Sequence, residues 1–210
     1  MPPFDVPVVD ELTEALGRCT SLRHLALHGF DQANLTKLLP SIAGLQLDSL
    51  RLDVYCDRDG RPQSSARVDA QLRIRTLELG LDASTPFSIG DQVSRLFASA
   101  TIEHLTVHLG GSTARVPVDI AQRLLYNHRH TLRTVKIDPL QTTYAFGPTL
   151  NSSEPVWTTE VQIKFKQLHV LRFDGLRVDR RLFKSDASLQ ILGSSPHPEL
   201  WSVNDKRCIL

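Results

Sequence analysis

The chain has 210 residues, of which 41% are hydrophobic and 22% charged, and its formal net charge is +1. That is the composition of an ordinary globular domain, and a near-neutral balance gives no electrostatic ground for a nucleic-acid or anionic-membrane partner. Three cysteines, Cys19, Cys56 and Cys208, are odd in number and far apart, which argues against a disulfide framework or a zinc site and for a reducing, cytoplasmic or nuclear setting.

Met1-Pro-Pro-Phe-Asp5 lacks the basic and apolar regions of a signal peptide. No apolar run approaches the roughly 18 residues of a membrane span. Residues 8–19 read as an amphipathic helix, with Leu12, Ala15, Leu16 and Cys19 on one face and Asp10 and Glu11 near its positive end. This helix is expected to cap the first strand.

From residue 22 a spacing takes over: apolar, two variable residues, apolar, one variable, apolar. Leu22, Leu25 and Leu27 carry it first, then Leu47, Leu50 and Leu52, then Ile74, Leu77 and Leu79. Ile102, Leu105 and Val107 follow, then Leu132, Val135 and Ile137, then Leu168, Leu171 and Phe173. The copies start 25, 27, 28, 30 and 36 residues apart. A drifting period of this length predicts a solenoid, in which each unit buries its apolar face only against its neighbours. The six strands are expected at 22–28, 47–53, 74–80, 102–108, 132–138 and 168–174.

Helices are predicted between them. One carries Leu35, Leu38, Leu39 and Ile42 inward, with Asp31 or Asn34 as its cap, and Pro40 should end or bend it. Residues 54–70 are polar and read as a loop. A helix from Pro86 places Ile89, Val93, Leu96, Phe97 and Ala100 inward. Another runs from about Pro117 to Asn127 with Ile120, Leu124 and Leu125 inward, and His128, Arg129 and His130 serve as cations at its negative end. Residues 139–160 read as an insertion carrying Tyr144, Phe146 and Trp157. Val161, Ile163 and Phe165 suit a short strand or a buried turn. A helix using Leu182, Phe183, Leu189 and Leu192 is expected before Gly193, and residues 194–210, with Leu200 and Trp201, form a C-terminal cap around a degenerate seventh copy. The whole of 1–210 is then one α/β domain.

The triplets, each followed by a helix, resemble a leucine-rich repeat of the longer, ribonuclease-inhibitor-like kind. The resemblance covers nearly all of 8–205 and implies a horseshoe of about six irregular repeats, with a parallel concave sheet and convex helices. The family's Asn or Cys ladder slots hold Phe30, Tyr55, Asp82, Gly110, Leu140 and Leu176 here, so the array departs from a regular loop ladder. Such irregular arrays are similar to the leucine-rich-repeat half of fungal F-box proteins, although no F-box sequence is present.

If the triplets face the core, the residues between them line the other face of the sheet. His24, Ser49, Thr76, His104, Thr134 and Val170 make one column. Ala26, Arg51, Glu78, Thr106, Lys136 and Arg172 make the second, and His28, Asp53, Gly80, His108, Asp138 and Asp174 the third. A protein partner is expected on this face, through His24, His28, Arg51, Asp53, Glu78, His104, His108, Lys136, Asp138, Arg172 and Asp174. Alternatively, the charges satisfy one another across strands. Tyr144, Phe146 and Trp157 either seal the side of the array or anchor a partner.

Catalysis is not expected. His24 and Ser49 could be neighbours, but Ser49 lies on a plain strand without a nucleophile elbow, and Asp53 is about 13 Å further along it. Histidines four apart on a strand, His24/His28 and His104/His108, are too distant to share a metal ion. No cofactor motif is present. The expected role is a monomeric, non-enzymatic protein-interaction module, with a substrate-recognition fragment of an F-box-like ubiquitin-ligase receptor as the alternative and a hydrolase disfavoured.

Overall fold

The computed structural model describes residues 6–30, 32–54, 72, 74–81, 97–98, 100–109, 115–139, 156–157, 162–174, 177–178 and 182–194. Its centre is a sheet of seven strands, all neighbours parallel. The strands are β1 (His24–Phe30), β2 (Ser49–Val54), β3 (Thr76–Leu81), β4 (His104–Leu109), β5 (Thr134–Pro139), β8 (Val170–Asp174) and β11 (Gln190–Ser194), paired in that order. Short strands β6 (Val156–Trp157), β7 (Ile163–Phe165), β9 (Arg177–Val178) and β10 (Phe183–Ser185) form two further parallel pairs, β6 with β9 and β7 with β10. Three helices are described: α1 (Val6–Arg18), α2 (Gln32–Ala43) and α3 (Arg115–Asn127).

The register follows the sequence spacing. His24 pairs with Ser49, Ser49 with Thr76, Thr76 with His104, His104 with Thr134 and Thr134 with Val170. Pleating sends alternate side chains to opposite faces. One face therefore collects Leu50, Leu52, Leu77, Leu79, Leu105, Val107, Val135, Ile137, Leu171 and Phe173, all buried. Leu47, Ile74, Ile102, Leu132 and Leu168, at the turns into the strands, are buried with them. Leu25 on the end strand β1, and Leu22 just before it, are only partly buried. Each fully buried Leu contributes about 1.5–3 kcal/mol, so the repeated triplet is the main source of cohesion.

The helices cover this apolar face. α1 presents Val9 and Leu16 inward, with Leu12 partly buried, and packs against α2. Its apolar stripe is narrower than the spacing suggests, because Ala15 and Cys19 are exposed. α2 buries Leu38, Leu39 and Ile42. Pro40 lies inside it without ending it. A proline removes one N–H, and in the last turn that loss breaks only one helical bond. Asn34 is within α2 and buried, so it does not cap the helix. α3 buries Ile120, Ala121, Leu124 and Leu125. Phe97 and Ala100, expected inward, are buried. Asp31, most of the loop at 54–70, the helix from Pro86 up to Leu96, Tyr144, Phe146, and the cap around Leu200 and Trp201 lie outside the described residues. Trp157 sits in β6, paired with Val178.

Two further expectations are corrected. The segment around Leu182, Phe183, Leu189 and Leu192 is not a helix. Phe183 begins β10, and Leu192 is exposed in the middle of β11. Phe183 instead packs on Phe165 and Phe173, with ring centroids 6.4 and 5.4 Å away. Val170 pairs with Gln190, 20 residues on, too short an interval for a strand, a full helix and two turns. In this stretch the crossover is made of β9 and β10, which lie in parallel on β6 and β7. Ile163 and Phe165, buried on either side of exposed Lys164, form β7, which pairs with β10.

The second correction is His128. It is not a solvated cation at a helix end but is 3% exposed. Its backbone ties the end of α3 to β5: its N–H donates to the Leu124 carbonyl, and its own carbonyl accepts from Thr131 and Leu132. Thr131 Oγ1 also donates to the Ile102 carbonyl, 2.8 Å away. The ring bonds the Ala100 backbone, and burial holds its pKa below the ordinary 6.5. Nε2 is buried and has no hydrogen-bond partner.

Candidate functional site

The face of the sheet turned away from the core carries all eleven side chains predicted for partner binding. β1 supplies His24 and His28, β2 Arg51 and Asp53, β3 Glu78, β4 His104 and His108, β5 Lys136 and Asp138, and β8 Arg172 and Asp174. They occupy it because the strand residues between the apolar triplets have only this face left.

Hydrogen bonds and ion pairs link the side chains across five strands. His28 Nδ1 bonds Asp53 Oδ2. Arg51 Nε faces Asp53 Oδ1 at 3.6 Å, an ion pair too long for a hydrogen bond. Arg51 Nη1 donates to Glu78 Oε1 at 2.9 Å, and His108 Nε2 reaches the same oxygen at 2.7 Å. His108 Nδ1 bonds Asp138 Oδ1, and Lys136 Nζ donates to Asp138 Oδ2. His108 thus stands between two carboxylates, one at each ring nitrogen. On β8, Arg172 Nε donates to Asp174 Oδ2 at 2.7 Å.

A second row, of histidines on hydroxyls, runs beside it. His24 Nδ1 and Ser49 Oγ are hydrogen-bonded at 2.8 Å, and His104 Nδ1 and Thr134 Oγ1 at 2.7 Å. His24-Leu-Ala-Leu-His28 on β1 thus corresponds to His104-Leu-Thr-Val-His108 on β4, and Ser49-Leu-Arg-Leu-Asp53 on β2 to Thr134-Val-Lys-Ile-Asp138 on β5. The two strand pairs present the same set: a histidine on a hydroxyl, a histidine on a carboxylate, and a cation beside that carboxylate. Glu78 links the two sets.

Sequence reasoning missed this duplication, although aligning the six copies displays it. It also missed the residues entering each strand. Arg23, Asp48, Arg75, Glu103 and Arg133 alternate in sign from β1 to β5. The backbone carbonyl of each of the five accepts two N–H groups of the next unit, as that of Arg23 does from Asp48 and Ser49 at 2.7 and 3.1 Å. Arg133 Nε stands 3.4 Å from Glu103 Oε2.

Gly80 is a further fixed point. It lies between Asp53 and His108 in its column. A Cβ there would stand 3.0 Å from Asp53 Cγ and collide with Oδ1. The absent side chain is what lets the Asp53 carboxylate lean over β3.

The arrangement has limited chemistry. His24 and Ser49 are within hydrogen-bond reach, but Asp53 is turned to His28 and Arg51 and does not orient His24. Among the described residues no group of three or more His, Cys, Asp or Glu is placed to hold a metal ion. No described helix is long and apolar enough to cross a membrane. Comparison with protein-family models, curated proteins and solved structures finds no match to this chain.

Proposed function

We propose that the chain is a leucine-rich-repeat-like solenoid and a non-enzymatic protein-interaction module, and that it binds its partner on the concave polar face of the main sheet. What carries this reading is the run of hydrogen-bonded and ion-paired side chains from His28 to Lys136, in register on five strands whose other face is buried core. Interfaces gain when their side chains are ordered before the partner arrives, because less freedom is lost on association. The cross-strand bonds supply that order. A non-enzymatic role fits the same geometry: beside the His24–Ser49 pair, Asp53 is turned to His28 and Arg51 and does not orient His24.

The test is steric. Thr106 lies on β4 in the central column, between Glu78 and Lys136 in register. Thr106→Trp sets a large ring in the middle of the face, whereas Tyr126→Ala removes an exposed ring on α3. A protein captured from lysate by the wild-type chain should be lost with Thr106→Trp and kept with Tyr126→Ala. Equal capture by the Trp variant, with its fold intact by circular dichroism, would refute binding on this face.

A further inference from the structure

We propose that the partner element taken by this face is an extended acidic segment, with carboxylates seated on Arg51, Lys136 and Arg172 and an adjoining apolar side chain on Leu192. This rests on the binding role proposed above and adds the chemistry of the partner.

The reason is which groups stand highest. The carboxylates sit low: the side chains of Asp53, Asp138 and Asp174 are 9%, 13% and 18% exposed, and Glu78 is 31%. The cations stand above them, with Arg51 at 39%, Lys136 at 41% and Arg172 at 51%. Short acidic side chains stay near the backbone, while long basic ones extend past them. An approaching chain therefore meets N–H donors first. Each carboxylate already accepts from a neighbour: Asp53 from His28, Glu78 from Arg51, Asp138 from Lys136 and Asp174 from Arg172. A basic segment would have to displace those donors. An acidic one need not, because a guanidinium has five N–H donors and an ammonium three. Arg172 and Arg51 can keep their bonds to Asp174 and Glu78 and still take a second oxyanion, in the two-pronged geometry that arginine favours.

Spacing narrows the choice. Lys136 and Arg172 are register partners on adjacent strands, about 4.8 Å apart. Arg51 lies three strands from Lys136, about 14 Å away. An extended segment crossing the strands repeats its side chains on one side every 6.6–6.8 Å or so. A carboxylate at position i on the Lys136–Arg172 pair thus puts position i+4 over Arg51. In the other direction position i−2 falls on Leu192, the register partner of Arg172 and an exposed large apolar side chain.

Displayed random dodecapeptides selected in parallel on the wild-type chain and on Lys136→Glu/Arg172→Glu test this. A fluorescein-labelled peptide with leucine, glutamate and glutamate at its first, third and seventh positions, and serine or glycine elsewhere, gives the affinity by anisotropy. Selection on the wild type should enrich acidic sequences, and the double variant should lose them. The labelled peptide should bind the variant at least about tenfold more weakly, and its binding to the wild type should weaken with added salt. Lys136→Gln/Arg172→Gln, which removes the cations without crowding Asp138 and Asp174, should show the same loss if the reversal fails to fold. Neutral or basic sequences that still depend on Lys136 and Arg172 would overturn the acidic class and leave the binding face standing. Sequences that bind wild type and variants alike, or no enrichment at all, would overturn both.

Discussion

Glu78 Oε1 lies 2.7 Å from His108 Nε2, and through this bond the β1–β3 part of the polar chain is continuous with the β4–β5 part. Glu78→Gln keeps the shape and removes the charge. Both groups are partly exposed, so their coupling in a double-mutant cycle with His108→Gln should be about 0.5–1 kcal/mol and should shrink with salt. A coupling indistinguishable from zero at low salt would mean that the two side chains do not act together.

Gly80→Ala should destabilise the fold by about 1–3 kcal/mol, as overpacking does, because the new methyl meets the Asp53 carboxylate. Asp53→Ala should relieve most of that. The double variant would then be clearly more stable than the sum of the two singles allows, as read from urea midpoints. Strict additivity would show that the collision is absorbed elsewhere.

Leu105→Ala removes a buried side chain from the centre of the apolar face, and a loss of about 2–5 kcal/mol is expected. A loss below about 1 kcal/mol would place Leu105 outside a tightly packed core.

Acid should act through His128. Burial lowers its pKa in the folded chain, and unfolding restores it to about 6.5. As pH falls through that value the unfolded chain takes up a proton that the folded chain resists, so stability is full above it and declines below it toward the lowered folded pKa. His128→Gln removes this titration. Its stability should fall less steeply than that of the wild type between neutral pH and about pH 5. Identical slopes in chemical denaturation would show that His128 does not link protonation to folding.

Deleting α1 should uncover apolar surface on α2, against which it packs. The expected result is aggregation on size-exclusion chromatography. A monodisperse truncation with unchanged stability would show that α1 is dispensable.

The six strands from Leu22 to Phe173 were legible because burial of one face forces a fixed spacing, and the intervals between the triplets equal the offsets between paired residues. The pairs His28–Asp53, Arg51–Glu78 and His108–Asp138 followed from that register alone. β11 was not legible. Its triplet positions hold Ser188, Ile191 and Gly193, and an apolar pattern with one apolar member carries no signal. Leu182, Phe183, Leu189 and Leu192 offered a helical spacing in its place, and tertiary packing of Phe183 on Phe165 and Phe173 overrode it. His128 was misread because sequence position next to a helix end says nothing about which way the ring turns. Bonds that pass through a shared atom, such as Glu78 Oε1, need coordinates.

The strands of the main sheet pair in the order in which they leave the chain, each with only the units before and after it. Closing one contact therefore requires a loop of one unit and never of the whole polypeptide, and short loops close at small entropic cost. Folding can begin at any adjacent pair and spread both ways, so the rate should depend on one local step more than on total length. Among the described strands, β1 and β11 have a neighbour on one side only, and Leu25 on β1 and Ile191 on β11 are less deeply buried than their counterparts on β3 and β4. Amide exchange should then run as a gradient, slowest at Leu77, Leu79, Leu105 and Val107 and fastest at the two margins, with the molecule opening from its ends inward.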